Sequence, residues 1–244
     1  MALNVVGVVC ALASEARHLG PIRLHEPVES LPDGTLVAVT GMGGAAASRG
    51  ADALINAGAT ALASFGLAGG LDPALSAGVI LLPTEVIGAE IGDKCVGTAQ
   101  GWRDRVACAV SAHAPVRSGR LLSASRAIAS VADKAAAFRV TGAAAVDMES
   151  LAVGEVAERH QLPFIAARVI VDSAADVLPN AVTAAADKQG HLQIWRLIGA
   201  LALAPNELAP LIRLARRYRV ANRALAAIAR TGSLAPYIHT TTGP

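Results

Sequence analysis

The chain has 244 residues, of which 53% are hydrophobic, 16% are charged and 3% are aromatic, and its net charge is +2. This length suits one sizeable α/β domain, whereas the small net charge and the scarcity of aromatic residues argue against a nucleic-acid-binding protein. No apolar run reaches the roughly 18 residues of a membrane span. The amino terminus lacks the basic segment of a signal peptide, and the three cysteines have no metal-binding spacing. We therefore expect a cytoplasmic protein without a metal.

Short apolar runs alternate with alanine-rich helical patterns in the first part of the chain, which is typical of βα units. Strands are predicted at residues 4–11, 35–40, 60–65 and 79–86. Helices are predicted from residue 14 to residue 19 and over residues 44–57. The second and third strands each run into glycines, beginning with Gly41 and Gly66, so a turn is predicted at the end of both.

The alternation continues in the second part of the chain. A polar stretch extends to about residue 105, and residues 107–113 fit a helix or a strand equally well. Further on, strands are predicted at residues 120–123 and 164–171, and helices at residues 128–138 and 148–160. No repeat or linker divides this region, so we expect a single α/β domain over residues 1–205.

The last part of the sequence predicts a basic amphipathic helix over residues 206–230. Asn206 is a suitable N-cap with Glu207 in the first turn. Apolar residues then recur at helical spacing, and six arginines stand against the single acid: Arg213, Arg216, Arg217, Arg219, Arg223 and Arg230. This pattern is typical of a docked helix with a solvated arginine face, and it is also found in helices that touch anionic membrane surfaces.

Residues 145–172 carry the strongest indication of a functional site. The predicted helix begins with Met148 and Glu149, and the strand after it delivers Asp172 at its carboxyl end. Ligands of α/β proteins bind outside the carboxyl ends of parallel strands. Two carboxylates with a methionine between them are thereby directed towards one cleft. This set suits an enzyme that holds a sugar through its hydroxyls and protonates a leaving group.

The first glycine turn has the pattern G-x-G-x-x-A, a loose dinucleotide-binding fingerprint. The strand at residues 61–66 should then end in an acid, and it does not, which argues against an NAD enzyme. Tight strand–helix turns also need glycine for conformational reasons alone. The amides at the helix start nevertheless favour an anion or a nucleophile close to four residues: Thr40, Gly41, Met42 and Gly43.

Five segments occur together in the order and spacing of one known superfamily: residues 8–15 (VVCALASE), 40–43 (TGMG), 65–73 (FGLAGGLDP), 145–150 (AVDMES) and 168–172 (RVIVD). They resemble the purine nucleoside phosphorylase and methylthioadenosine nucleosidase superfamily. The resemblance implies a single-domain nucleoside phosphorylase-like fold with a mixed central sheet flanked by helices. The helix at 206–230 would be packed on this domain or appended to it, and the protein would form a homodimer.

A narrower resemblance rests on residues 130–135 (SVADKA), 143–150, 176–179 (DVLP) and the arginine-rich tail. These segments are similar to the hopanoid-associated phosphorylases, whose proposed substrate is adenosylhopane, an adenine nucleoside with a triterpenoid at its 5′ position. The resemblance implies release of adenine by phosphorolysis, with phosphate as co-substrate and no other cofactor. It also implies a peripheral contact with the inner face of the membrane.

The superfamily resemblance implies a role for each site residue. Asp172 would protonate N7 of the leaving adenine. Glu15 matches the acid that positions an attacking water in the nucleosidases. Substrate-binding roles would fall to Met148, Glu149, Gly66, Leu67, Ala68, Gly69 and Arg168. Glu149 would accept hydrogen bonds from the ribose 2′- and 3′-hydroxyls, with Met148 against the sugar. Plain structural roles stay open, namely capping for the acids and an ion pair for Arg168.

Some positions depart from the phosphorylase pattern. Ser64 and Leu67 stand where many phosphorylases have arginine and serine or threonine, and a carboxylate at Glu15 disfavours a phosphate dianion unless cations such as Arg17 or Arg126 screen it. The aromatic residue that often stacks on the purine is absent near Ala127. Two alternatives therefore stand beside phosphorolysis: a hydrolytic methylthioadenosine or adenosylhomocysteine nucleosidase, and a nucleoside-binding protein without catalytic activity.

Overall fold

The computed structural model describes residues 5–23, 26–89, 94–177 and 208–235. Its strands are β1 (Val6–Cys10), β2 (Glu29–Ser30), β3 (Leu36–Val39), β4 (Ala61–Gly70), β5 (Ile80–Leu81), β6 (Glu85–Gly88), β7 (Cys95–Gly97), β8 (Val116–Arg117), β9 (Arg120–Ser123), β10 (Ala143–Asp147) and β11 (Phe164–Asp172). Its helices are α1 (Ala13–Ala16), α2 (Gly44–Asn56), α3 (Gln100–Val110), α4 (Val131–Thr141), α5 (Ser150–Arg159) and α6 (Leu208–Arg230).

The strands form one mixed sheet whose centre is the long strand β4. The sheet order is β2-β3-β1-β4-β10-β9-β6-β7, and β11 also pairs with β4 and continues to β5 and β8. Strands β3, β1, β4 and β11 are mutually parallel, so their carboxyl ends lie at the same edge. Strand β10 runs antiparallel to the end of β4 and brings Asp147 back towards that edge. The residues at or just after the ends of β1, β3, β4, β10 and β11 therefore lie in one region.

Helices cover both faces of the sheet. Helices α2 and α5 pack on one face, and α3 and α6 pack on the other. Because the central strands are buried on both sides, β1, β4 and β11 are nearly continuous apolar runs rather than alternating ones. Much of the contact surface is alanine, which allows the helices to approach the sheet closely. The mixed sheet with flanking helices and a carboxyl-terminal helix confirms the predicted fold class.

The predicted end of the third strand at residue 65 is wrong. Strand β4 continues through the glycines to Gly70, because β11 pairs alongside up to Gly69 and β10 pairs with the last two residues. A side chain at Gly66 would lie 2.5 Å from Nη1 of Arg168 and 2.6 Å from Oε1 of Glu15. This glycine is needed because two charged side chains cross the strand there, and it does not mark a turn.

Other predicted boundaries also differ from the structure. The strand expected at 79–86 is split into β5 and β6, with Pro83 between them, a residue that cannot donate to a strand ladder. The polar stretch contains β7 and α3, which settles most of residues 107–113 as helix. Helix α4 begins three residues later than predicted, after Ser130, whose hydroxyl accepts the Asp133 amide at 3.0 Å. Helix α1 ends at Ala16 rather than residue 19.

The carboxyl-terminal helix is present, although the proposed N-cap Asn206 lies outside the described residues. Its second half packs on the sheet through Ala221, Ala224, Leu225 and Ile228, which are all buried. In the ranges that the structure describes, no helix combines the length and the apolar character needed to cross a membrane.

Candidate active site

A cavity opens at the sheet edge where the parallel strands end. Most of the predicted site residues line it together: Glu15, Met42, Leu67, Ala68, Gly69, Met148, Glu149 and Asp172. Arg126 also reaches this cavity, whereas Arg17 does not. We call it the acidic cavity, because Glu15, Glu149 and Asp172 converge on it although each side chain is largely withdrawn from solvent.

Glu15 is fixed by two backbone amides from different parts of the chain. Its Oε1 accepts the Leu67 amide at 2.9 Å, and its Oε2 accepts the Leu12 amide at 2.9 Å. Burial nevertheless raises the pKa of the Glu15 carboxyl, while Arg168 and the amide donors act in the opposite direction. Each oxygen keeps lone-pair capacity for a further donor. The residue is therefore able to hold a water molecule and to receive its proton.

Arg168 lies inside the protein and does not line the cavity. Its Nη2 donates to the Ser64 hydroxyl at 2.7 Å and forms an ion pair with Asp147, whose Oδ2 lies at 2.7 Å; Glu149 Oε2 lies 3.7 Å away. Its Nε donates to the Ser150 hydroxyl at 3.2 Å. The ion pair expected for this arginine is present, and the same guanidinium orients the acids beside it. Ser64, which replaces an arginine of many phosphorylases, is a buried partner of Arg168.

Asp147 and Glu149 have different tasks at the start of α5. Asp147 accepts the Ser150 amide at 3.1 Å and the Ser123 hydroxyl at 2.8 Å, so the helix begins at Ser150 and not at residue 148. Glu149 instead accepts the Gly43 amide at 2.9 Å. Gly43 has φ of +99°, a conformation that glycine adopts without strain. The predicted capping role thus belongs to Asp147, and Glu149 faces the cavity.

Lys134 is the main site residue that the sequence did not reveal. Its ammonium group is fully buried and donates to Asp172 Oδ2, to the Ser173 carbonyl at 2.9 Å and to the Asp176 carbonyl at 3.0 Å. All three ammonium hydrogens therefore have partners. Burial raises the pKa of Asp172, and Lys134 opposes that rise. From the sequence, a lysine in the alanine-rich helix α4 is expected to face solvent. The only signal for Lys134 was that it belongs to residues 130–135, a segment of the narrower family resemblance.

The segment after Asp172 is tied to the carboxyl-terminal helix. Asp176 accepts the Ser173 amide at 2.9 Å and forms an ion pair with Arg217 of α6. These contacts hold the pKa of the Asp176 carboxyl below its usual value, although burial acts in the opposite direction. Asp172, Lys134, Asp176 and Arg217 thus form a continuous polar chain from the acidic cavity to α6.

A second hollow adjoins the acidic cavity and shares Met42 and Met148 with it. It is lined by the predicted nucleophile neighbourhood, namely Thr40, Gly41, Met42 and Gly43, and by the exposed Arg49. We call it the glycine-turn hollow. The start of α2 and Arg49 contribute positive charge to this hollow, and Glu155 on the same wall contributes a negative charge.

Comparisons with known proteins agree with the observed fold. The family model described as the phosphorylase superfamily matches residues 33–196. A 5′-methylthioadenosine/S-adenosylhomocysteine nucleosidase from Helicobacter pylori has 18% identity and a TM-score of 0.63, covering 72% of this chain and 88% of its own. Futalosine hydrolase of Helicobacter pylori has 17% identity and a TM-score of 0.63, covering 71% and 87%.

A 5′-methylthioadenosine/S-adenosylhomocysteine nucleosidase from Neisseria meningitidis has 19% identity and a TM-score of 0.61, covering 88% of this chain and 100% of its own. No curated protein sequence matches the chain significantly. At these identities the structural likeness concerns the fold, whereas the family model spans well over half of the sequence. The chain therefore belongs to the phosphorylase superfamily.

Proposed function

We propose that this protein cleaves the N-glycosidic bond of a 5′-substituted adenine nucleoside and releases adenine. The observation that carries the proposal is the convergence of Glu15, Glu149 and Asp172 on one cavity. Glycosidic cleavage builds positive charge on the sugar and negative charge on the base. Buried carboxylates on either side of the scissile bond serve both needs, one by stabilising the cation and one by delivering a proton.

Asp172 is proposed as the general acid. As the bond between C1′ and N9 breaks, its electron pair moves into the purine, and the carboxyl proton of Asp172 passes to N7. The raised pKa of the buried Asp172 favours the protonated form that this step requires. Glu149 is proposed to accept hydrogen bonds from the ribose hydroxyls, with Met148 against the sugar ring.

Glu149 predicts a pH dependence of the reaction. Burial is the main cause that raises its pKa to about 7. The ionised form accepts hydroxyl hydrogen bonds best, so kcat/KM is expected to rise with pH through about 7. In Glu149→Gln the part of the rise near pH 7 should vanish, leaving only the rise caused by ionisation of Glu15, and kcat/KM should fall by about 10- to 100-fold, the effect of losing a hydrogen bond to a charged group. A pH profile of E149Q that keeps the same rise would contradict the assignment.

Water is proposed as the nucleophile. Glu15 would orient it and take up its proton as the oxygen attacks C1′. The acidic cavity offers a phosphate dianion few free cations among the described residues: Arg168 and Lys134 are buried and paired, and Arg126 stands exposed at its edge. Repulsion by the neighbouring carboxylates therefore disfavours phosphate close to C1′.

Phosphorolysis is the second candidate. The narrower resemblance to the hopanoid-associated phosphorylases supports it. Arg49 and the start of α2 also support it, because they contribute positive charge to the glycine-turn hollow, although the Glu155 carboxylate lines the same hollow. The Gly43 amide at that helix start is already engaged by Glu149. A phosphate would therefore have to bind through the other groups of the turn and Arg49.

The 5′ substituent is proposed to be the hydrocarbon of adenosylhopane. The resemblance of residues 130–135 supports this substrate. With water as the nucleophile, no phosphate occupies the glycine-turn hollow, which then offers the hydrocarbon room beside Leu151 and Ala152, although Arg49 and Glu155 also line it. A small thioether, as in methylthioadenosine, is the alternative. The names of the nucleosidases that share this fold include methylthioadenosine.

The first experiment is adenine release from adenosylhopane in detergent, with and without phosphate and in ¹⁸O-labelled water. We expect equal release in both buffers and a ribosyl product that carries the labelled oxygen. Release only with phosphate, giving a ribosyl phosphate, would show that phosphate and not water is the nucleophile. Methylthioadenosine is the parallel substrate, and its exclusive turnover would overturn the hydrocarbon assignment. Binding of both nucleosides without release would make the chain a nucleoside-binding protein.

A further inference from the structure

We propose that the exposed face of α6 binds the anionic surface of a lipid bilayer. Four exposed arginines form this face, which we call the arginine stripe: Arg216, Arg219, Arg223 and Arg230. At 3.6 residues per turn they fall within about 60° of arc and extend over about 21 Å of helix. The helix has no acidic residue from Leu208 to Arg230. This inference is independent of the proposed reaction.

The stripe is held in place by the rest of the molecule. The opposite side of α6 is buried against the sheet through Ala221, Leu225 and Ile228, so the helix cannot roll its apolar side into a membrane. The arginines are therefore presented on a docked helix. Binding through them would be electrostatic attachment of the folded protein, unlike the insertion of a free amphipathic helix.

The charges of the stripe are available to a partner. In the described part of the chain, none of its four arginines lies within 4.0 Å of a carboxylate, in contrast to Arg217, which is paired with Asp176. Arg223 and Arg230 also line a hollow together with His18 and His113. A phosphate-bearing headgroup has the charge and the acceptor oxygens that these donors require.

Exposed apolar side chains favour a bilayer over a nucleic acid. Ile212 is 47% exposed and Val220 is 45% exposed, and on the helical wheel both lie within about 40° of a stripe arginine. Surfaces that bind single-stranded nucleic acids usually combine basic residues with aromatic side chains that stack on bases. The stripe has aliphatic neighbours instead, which suit the boundary between headgroups and acyl chains.

The test is sedimentation of the full chain with vesicles. Phosphatidylcholine vesicles containing about 30% phosphatidylserine are compared with pure phosphatidylcholine vesicles. The test variant is R216Q/R219Q/R223Q/R230Q. Its matched control is R17Q/R23Q/R117Q/R139Q, which removes four exposed arginines from other parts of the surface. Circular dichroism verifies that both variants fold.

We expect the wild-type chain to bind only the anionic vesicles and to be released by high salt. The stripe variant should bind at least about 100-fold more weakly, because each basic residue near a charged membrane contributes several-fold. The control should bind as the wild type does. Equal weakening in the control, no vesicle binding by the wild type, or stronger binding to duplex DNA than to vesicles would each overturn the proposal.

Discussion

Replacement of Asp172 by asparagine is expected to lower kcat for adenine release by about 10²–10⁴-fold, the usual contribution of a general acid. The amide has nearly the same shape as the carboxyl group but cannot deliver a proton to N7. Its oxygen can still accept from Lys134, whose other two acceptors are backbone carbonyls. The loss is therefore expected in kcat rather than in folding, and it should appear under saturating substrate.

The matched control is Asp104→Asn, the same chemical change at an exposed position on α3. It should retain full activity. A thermal melt of D172N separates lost catalysis from lost structure. Unchanged adenine release by folded D172N would contradict the role of Asp172 as the general acid. The proposed reaction would then lack a proton donor.

Replacement of Lys134 by methionine is expected to lower the free energy of unfolding by about 3–5 kcal/mol at pH 8, as is typical when one partner of a buried ion pair is removed. Asp172 would be left as a buried carboxylate, and the Ser173 and Asp176 carbonyls would lose their donor. Urea unfolding measures the effect. The exposed Lys94 provides the control K94M, which should change stability by less than about 0.5 kcal/mol.

The loss in K134M should depend on pH. Burial already raises the pKa of Asp172 above its unfolded value, and removal of the lysine raises it further. A group of this kind contributes stability below its unfolded pKa and loses it as pH rises through the folded pKa. Destabilisation should therefore be smaller at about pH 5 than at pH 8. The double variant K134M/D172N should recover part of the loss, since no buried charge remains, and full additivity would show that the pair is not coupled.

The same change gives a kinetic readout. Because Asp172 would stay protonated to higher pH without Lys134, the alkaline limb of the kcat profile should move to higher pH in K134M. A purely structural lysine would lower the amount of folded enzyme and leave that limb in place. The two roles of Lys134 are thus separable in one titration.

Local pattern was sufficient for most of the longer strands and helices and for Asp172, but it did not predict strand β10 or the short strands β2, β7 and β8. Apolar runs predict buried strands wherever helices cover both faces of a sheet, and residues that follow such strands must lie at its carboxyl edge. Asp172 was placed in that way, Glu149 was placed at the start of the predicted helix, and Glu15 was indicated only by the superfamily resemblance. The structure brings all three to one cavity. Boundaries failed where distant backbone intervened: β4 runs through its glycines because β10 and β11 pair there.

By itself, the sequence determined the α/β class, the superfamily and the residues that follow the strands, because these depend on spacing along the chain. Only the tertiary structure decided which partners those residues have. The burial of Lys134 against Asp172, the orienting of Asp147 and Glu149 by Arg168, and the exposure of the arginine stripe all depend on segments far apart in sequence. Charge and hydrogen-bond energies depend on through-space distance and burial, which residue order does not specify.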